Sequence, residues 1–256
     1  MPAEAQRSLT YASQVSTSAA AGPAAVAGSG RRERRRIPRW LELVLIVVLA
    51  LALAALTKTF LAQSFFVPSG SMRPLLQGGD PARTDDRILV EKVSYWNGDV
   101  SRGDVVVFDD SQNWLRVAAE RETGLLRAGL EVVGLWPTGG HLVKRVIGVS
   151  GDTVACCDAQ NRVTVNGEPL DESDYLAEGT QPSEVEFSVR VPDDRLWVMG
   201  DNRQSSEDSR AHIGEPGGGF VPVDDVVGKV LAVVWPADRR DLVERPDTYD
   251  NASLDE

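Results

Sequence analysis

Two serines flank a glycine in Pro68-Ser69-Gly70-Ser71-Met72, and this is where the chain most readily places chemistry. Glycine opens backbone dihedrals closed to other residues and proline fixes the approach, so two hydroxyls can project from one tight bend. Such a bend can present a serine nucleophile; the same composition also serves ordinary loops. A serine hydroxyl is a weak nucleophile at neutral pH and needs a base within hydrogen-bond reach. With only two histidines, His141 and His212, there are few candidates for a serine–histidine pair. A lysine can serve instead if it is uncharged. Burial among apolar side chains can lower a lysine pKa by up to ~3–5 units from a reference near ~10.4. Lys144 lies in the run LVKRVIGV, and on a strand it shares a face with Leu142 and Val146. Two readings of it stay open: a buried base, or a surface lysine that solvates a strand edge beside Arg145. Further on, Gly200-Asp201-Asn202-Arg203 has the composition of a supporting turn.

Composition narrows the classes. The formal net charge is −11, yet the first 36 residues hold six arginines and two glutamates. The remainder is therefore strongly acidic, which argues against nucleic acid as a partner. Two histidines and two adjacent cysteines, Cys156 and Cys157, are too few for a zinc site of the Cys/His type, and no metal or cofactor is expected. The oxidation state of the cysteines stays open. Neighbouring Cα atoms ~3.8 Å apart lie below the usual disulfide range of ~4.4–6.8 Å, so adjacent cysteines can close only a strained ring.

The elements that must position these residues follow a simple order. Residues 1–39 read as a disordered, basic N-terminus. Residues 43–62 carry a single charge, Lys58, and twenty helical residues span about 30 Å, the hydrocarbon thickness of a bilayer. A single transmembrane helix over 40–62 is expected, in preference to a cleavable signal, whose apolar core would be ~7–15 residues. Trp40 suits the near interface and Lys58 can snorkel at the far one. The arginine cluster 31–36 should stay cytoplasmic, which puts the rest of the chain on the extracytoplasmic side of the cell membrane.

Beyond the anchor, short β-branched runs at 87–92, 105–108, 142–149, 163–165, 185–191, 196–199 and 226–234 predict an antiparallel β protein. Asn166-Gly167 is a strong hairpin signal, and Pro169 marks the return strand as an edge. Residues 114–140 read as an insertion with helical character, and the chain from 241 as a loose acidic tail. Arg102-Gly103-Asp104 reads as a turn into a strand in preference to an adhesion tripeptide.

Taken together, these segments resemble the bacterial type I signal peptidases, membrane-anchored serine peptidases that remove signal peptides. Pro68-Ser69-Gly70-Ser71-Met72-Arg73-Pro74 resembles the family's nucleophile segment, and Arg102-Gly103-Asp104-Val105-Val106-Val107-Phe108 its next strand. Lys144-Arg145-Val146-Ile147-Gly148 resembles the general-base segment. Met199-Gly200-Asp201-Asn202-Arg203, ending at Asp208-Ser209-Arg210, resembles the last signature.

The resemblance implies a mainly β fold. An antiparallel catalytic core over 63–153 and 190–240 would carry an inserted small β domain over 154–189, preceded by one transmembrane helix. It implies Ser71 as nucleophile, Lys144 as general base, and Ser69 with the Ser71 N–H as oxyanion donors. Ser206 would hold the Lys144 amine, Asp208 and Arg210 would pair behind it, and Asp201 and Asn202 would shape the loop. Phe65, Val67, Met72, Leu76, Ile88, Leu142 and Val143 would line shallow pockets for small side chains. The partners implied are preproteins bearing signal peptides and a lipid bilayer. The segment 78–86 (GGDPARTDD) is longer than the tight turn expected before Ile88. Rival readings are a self-cleaving Ser/Lys peptidase and an anchored β-domain scaffold without activity.

Overall fold

The computed structural model describes residues 38–60, 62–95, 99–115 and 140–255. The expected disorder of the N-terminus and the expected helical insertion lie almost wholly outside the described residues. Helix α1 (Arg39–Phe60) begins behind Pro38, whose carbonyl accepts the N–H groups of Leu41 and Glu42 at 2.8 and 3.2 Å. Proline suits this position because its missing N–H would have no partner there. The start of the helix, as far as Leu43, forms a unit of its own, and the chain from Val44 onward is a single body. Nine large apolar side chains between residues 43 and 53 are exposed. Among the described residues no helix is long and apolar enough to cross a membrane. The side chains of α1 are described as far as Ala54.

The helix ends sooner than the apolar run suggests, because β1 (Ala62–Phe66) takes over and pairs with β2 (Arg87–Glu91), Phe65 opposite Ile88. The alternation is the reason: Phe65 is buried and Phe66 exposed, a period-two pattern that a helix cannot use. The remaining large strands are β3 (Val105–Asp109), β4 (His141–Gly148), β9 (Arg195–Met199), β10 (Val221–Pro222), β11 (Val226–Trp235) and β12 (Asp241–Leu242). They pair antiparallel in the order β1-β2-β11-β3-β4-β9-β10, with β12 added to β11.

Between β4 and β9 the chain makes a second antiparallel sheet from β5 (Thr153–Cys156), β6 (Val163–Val165), β7 (Glu168–Pro169) and β8 (Phe187–Arg190), in the order β7-β6-β5-β8. Asn166 and Gly167 close its hairpin with φ of 54° and 89°, the left-handed pair that a two-residue turn of this hand requires. Pro169 sits on the edge strand, where its missing N–H costs no ladder bond. The mainly antiparallel β architecture is thus as the strand pattern predicts.

Three apolar clusters hold the body together. One joins the two sheets: Val154, Val163, Val165 and Phe187 of the small sheet meet Ile147, Trp197 and Met199 of the large one. Tyr249 and Leu254 belong to the same cluster, 4 % and 1 % exposed. The C-terminal segment is therefore not loose. Its apolar residues are few and widely spaced among acidic neighbours, so no periodic pattern announces their burial. Arg102-Gly103-Asp104 is a turn: Gly103 has φ +84°, and a Cβ there would lie 2.6 Å from the Tyr249 ring. Asp104 is buried, and Arg102 pairs with Asp152 through two bonds of 2.7 and 2.6 Å. Cys156 and Cys157 form a vicinal disulfide across a cis peptide bond.

Candidate active site

Ser71 sits at the tip of a loop whose two limbs are tied together at the base. The Val67 N–H donates to the Asp86 carbonyl at 3.0 Å, and the Asp86 N–H to the Gln77 carbonyl at 2.8 Å. The limbs also touch directly. A Cβ on Gly78 would lie 2.2 Å from the Val67 carbonyl oxygen and 2.6 Å from that of Ser69, so only glycine admits this approach. The long segment after it does not displace Ile88. Asp85 accepts the Gly79 N–H at 2.9 Å and Asp86 the Gln77 N–H at 2.7 Å, which fold the extra residues back onto the loop. Ile88 pairs with Phe65 and is buried.

The Lys144 amine meets Ser71 from β4. Opposite Val106 on β3, Lys144 is 2 % exposed, and its Nζ lies 3.0 Å from Ser71 Oγ and 3.2 Å from the Val143 carbonyl oxygen. Burial pushes its pKa down to about 8, and the charges of Asp208, Asp201 and Glu207 recover only part of the loss. Lys144 is therefore buried, and the reading of it as a surface lysine at a strand edge does not describe where it lies. Ser69 Oγ is 3.3 Å from Ser71 Oγ.

The loop after β9 grips the Ser71 segment from the other side. Asn202 donates its backbone N–H to the Ser71 carbonyl at 3.0 Å and its Nδ2 to the Gly70 carbonyl at 2.9 Å. A Cβ on Gly200 would lie 2.5 Å from the Ser71 carbonyl oxygen and 2.2 Å from Ser206 Oγ, so this contact too requires glycine. Asp208 accepts the Gly200 N–H at 2.9 Å and two guanidinium bonds from Arg210 at 2.9 and 2.8 Å. Burial alone would raise its carboxyl, but the Arg210 bonds and charge outweigh it and hold the pKa below the usual range.

Ser206 is placed differently from the expectation. Its Oγ is buried and makes no well-formed hydrogen bond, to Lys144 or to any other group among the described residues, although it lies near enough to Asp208 to help keep that carboxylate ionised.

Some functional side chains carry more than the sequence suggests. Asp201, read as a turn-former, accepts a two-pronged pair from Arg145 at 2.8 and 2.7 Å. That guanidinium also donates to the Gly103 carbonyl at 2.9 Å and stacks 4.2 Å above the Tyr175 ring. Next to it Arg203 pairs with Glu172 of the small-sheet region, and the Tyr175 and Tyr249 hydroxyls lie 2.9 Å apart. Glu172, Tyr175 and Tyr249 have no distinguishing pattern in the sequence, because their partners lie far along the chain.

Of the seven expected pocket residues, Phe65, Val67, Met72, Leu76, Ile88 and Val143 fall in a single buried cluster. Leu142 packs instead with Val146 in a different one. His141 is turned toward Asp109, with Nδ1 2.6 Å from the carboxylate, and its ring lies edge-on to Phe65. An open cleft of about 650 Å³ is lined by Pro74, Leu75, Tyr175 and Arg239 among others, and by neither Ser71 nor Lys144.

A serine hydroxyl within 3.0 Å of a buried lysine amine, on an antiparallel β body, is an arrangement that serine peptidases with a lysine base can use. Comparison with known proteins narrows the class. The profile of the family described as "Signal peptidase, peptidase S26" matches residues 40–235, and the chain belongs to that family. It is 37 % identical over 243 residues to a probable signal peptidase I of Mycobacterium leprae, covering 84 % of this chain and 83 % of that one. Against a signal peptidase I of Mycobacterium tuberculosis (strain CDC 1551 / Oshkosh) it is 40 % identical over 205 residues, covering 72 % and 69 %. A solved signal peptidase I from Enterococcus faecalis V583 superimposes with a TM-score of 0.33 at 22 % identity, covering 51 % of this chain and 96 % of that one, too loosely to carry structural detail across.

Proposed function

We propose that this chain is a membrane-anchored endopeptidase that cleaves signal peptides from exported preproteins, with Ser71 as nucleophile and Lys144 as general base. The observation that carries the reading is the 3.0 Å approach of the Lys144 amine to Ser71 Oγ inside a site that favours the neutral amine. The neutral amine takes the Ser71 proton as Oγ attacks the scissile carbonyl. The oxyanion that forms is met by the Ser71 N–H and the Ser69 hydroxyl, donors worth roughly 3–4 kcal/mol each in acyl transfer. The lysine, now an ammonium, returns the proton to the leaving amine. A water molecule activated by the same lysine then releases the acyl group. Asn202, Gly200, Asp208 and Arg210 hold the loop that grips the nucleophile, and Asp201 anchors β4 through Arg145.

Phe65 and Val143 line the substrate groove, with Met72, Leu76 and Ile88 packed beside them, and Leu142 is left out of it because it packs in another cluster. Such a groove suits small side chains before the cut, of the Ala-X-Ala kind. The anchor is α1 together with the apolar residues that follow it to position 62. Its exposed apolar face calls for a non-aqueous neighbour. The basic head sets the cytoplasmic side, and the core formed by 63–153 and 190–240 with its inserted 154–189 lies outside. Ser71 lies nine positions after Ala62, which keeps the site near the membrane surface where cleavage sites emerge. Incubation of the purified protein with a preprotein in trans tests the reading. Cleavage after a small residue that stops in Ser71→Ala supports it; undiminished cleavage by Ser71→Ala refutes it.

A further inference from the structure

Residues 236–255 lie beyond the family-matched region 40–235, yet they are bound to the loop that carries Ser71. The contact starts at a single turn of 3-10 helix, Ala237–Arg239, in which the Arg239 N–H donates to the Pro236 carbonyl at 3.1 Å. From this turn the Arg239 guanidinium reaches Asp86, Nε to Oδ1 at 2.9 Å and Nη2 to Oδ2 at 3.0 Å. Nη2 also donates to the Leu75 carbonyl at 3.1 Å. Asp86 is the residue at which both limbs of the nucleophile loop meet. Its carbonyl accepts the Val67 N–H, its N–H donates to Gln77, and its carboxylate accepts the Gln77 N–H in return. It is fully buried, and among the described residues its ion-pair partner is Arg239. A buried carboxylate stripped of its counter-ion is strongly unfavourable, and the loop would have to move to bring water to it.

We propose that Arg239 is a positioning residue for peptide hydrolysis: paired with Asp86 and bonded to Leu75, it fixes both limbs of loop 67–77 and so holds the Ser71 hydroxyl against Lys144. The inference rests on the reading of Ser71 and Lys144 as the reacting pair. It makes the C-terminal segment part of the catalytic unit. Asn202 holds the tip of the loop and Arg239 its base, so the two grips act on opposite ends of the same short stretch. Neither Asn202 nor Arg239 belongs to the apolar cluster that holds the groove residues Phe65 and Val143. Loss of Arg239 therefore slows the chemical step more than it weakens substrate binding.

The test uses the full-length protein in detergent micelles and a quenched peptide carrying an Ala-X-Ala site. Arg239→Ala is expected to lower kcat by roughly tenfold to a hundredfold, with KM within about twofold of the parent. Millimolar guanidinium should restore part of that kcat, because the Arg239 side chain is one-third exposed and its place can be refilled. The double variant Asp86→Asn/Arg239→Ala should be more active than Arg239→Ala alone, since it no longer buries an unpaired charge. If Arg239→Ala does not fold, Arg239→Lys gives the same reading, because lysine keeps the charge and loses the fork. The proposal is overturned by an Arg239→Ala kcat within about twofold of the parent. It is equally overturned by a fall that follows the folded fraction and is not rescued by guanidinium. Ser71→Ala run alongside separates the two levels: if it is inactive, a failure belongs to Arg239 alone, and if it is active the site reading falls first.

Discussion

Lys144 and Arg145 are neighbours on one strand, both almost fully buried, and they meet opposite fates. Arg145 faces a carboxylate that fits it prong for prong. Burial pushes its pKa down, but Asp201 more than offsets this and keeps the guanidinium charged above its ordinary value. Lys144 faces a hydroxyl and a carbonyl. The carboxylates of Asp208, Asp201 and Glu207 act on it only through charge, and burial wins. The difference lies in the partner, since the depth is nearly the same. A cation that is paired and hydrogen-bonded becomes structure, and one that is buried without a counter-ion becomes a base. Residue type reinforces the division, because a guanidinium stays protonated under all working conditions and an ammonium does not.

The comparison can be broken first at the chemistry, where the largest effect lies. Ser71→Ala, Lys144→Met and Lys144→Arg are each expected to lower kcat/KM by ~10⁴ or more while the protein stays folded, measured on the quenched peptide and by circular dichroism. Lys144→Arg is the sharper case, because it keeps the charge and cannot accept a proton. Substantial activity in it would make the lysine an electrostatic aid only.

The next effect falls on stability. Asp201→Ala leaves Arg145 buried and unpaired, and should cost about 3–5 kcal/mol in denaturant unfolding. A loss under 1 kcal/mol would mean that Arg145 finds water or another acceptor, and the contrast with its neighbour would weaken.

Lys144→Met should do the reverse. The folded-state pKa of Lys144, about 8, lies below that of an unfolded lysine at 10.5. Between these values the unfolded chain holds the extra proton, so the parent gains stability as pH rises through that window. Below pH 8 the full penalty is present. Lys144→Met should therefore be more stable than the parent by up to about 3 kcal/mol at pH 7, and the advantage should vanish by about pH 10.5. An advantage that is constant with pH would show that the lysine is not buried as a base. The smallest effect sharpens the electrostatics: Glu207→Gln removes one of the charges that raise the Lys144 pKa and should move the activity profile slightly to lower pH, with its plateau unchanged.

Much of the scaffold was legible because strands announce themselves locally. β2, β3, β4 and β11 are rich in β-branched residues, β9 is a short apolar run, and the Asn166-Gly167 turn follows from dihedral preference alone. β1 was not legible, since its first residue, Ala62, closes the run that reads as helix and the Ala-Gln-Ser-Phe-Phe stretch has no clear alternation until the Phe65/Phe66 burial contrast reveals it. At the site, Ser71 and Lys144 were legible through their motifs, and the apolar neighbours of Lys144 gave the physical reason. Their support was less so. Whether Asp201 is a turn-former or the partner of Arg145 depends on a register between distant strands, and nothing within 200–203 specifies it. The placement of Ser206 and the grip of Arg239 on Asp86 are also products of tertiary packing, 153 residues apart in the latter case.

The central claim is that Lys144 is the neutral base for Ser71, and the pH dependence of kcat/KM for the parent protein tests it most directly. The account predicts a rate that rises with pH through a single ionisation near 8, as the amine loses its proton, and a profile that is unchanged in His141→Ala. An inflection near the histidine value of ~6.5 that disappears in His141→Ala would contradict it and move the base from Lys144 to His141.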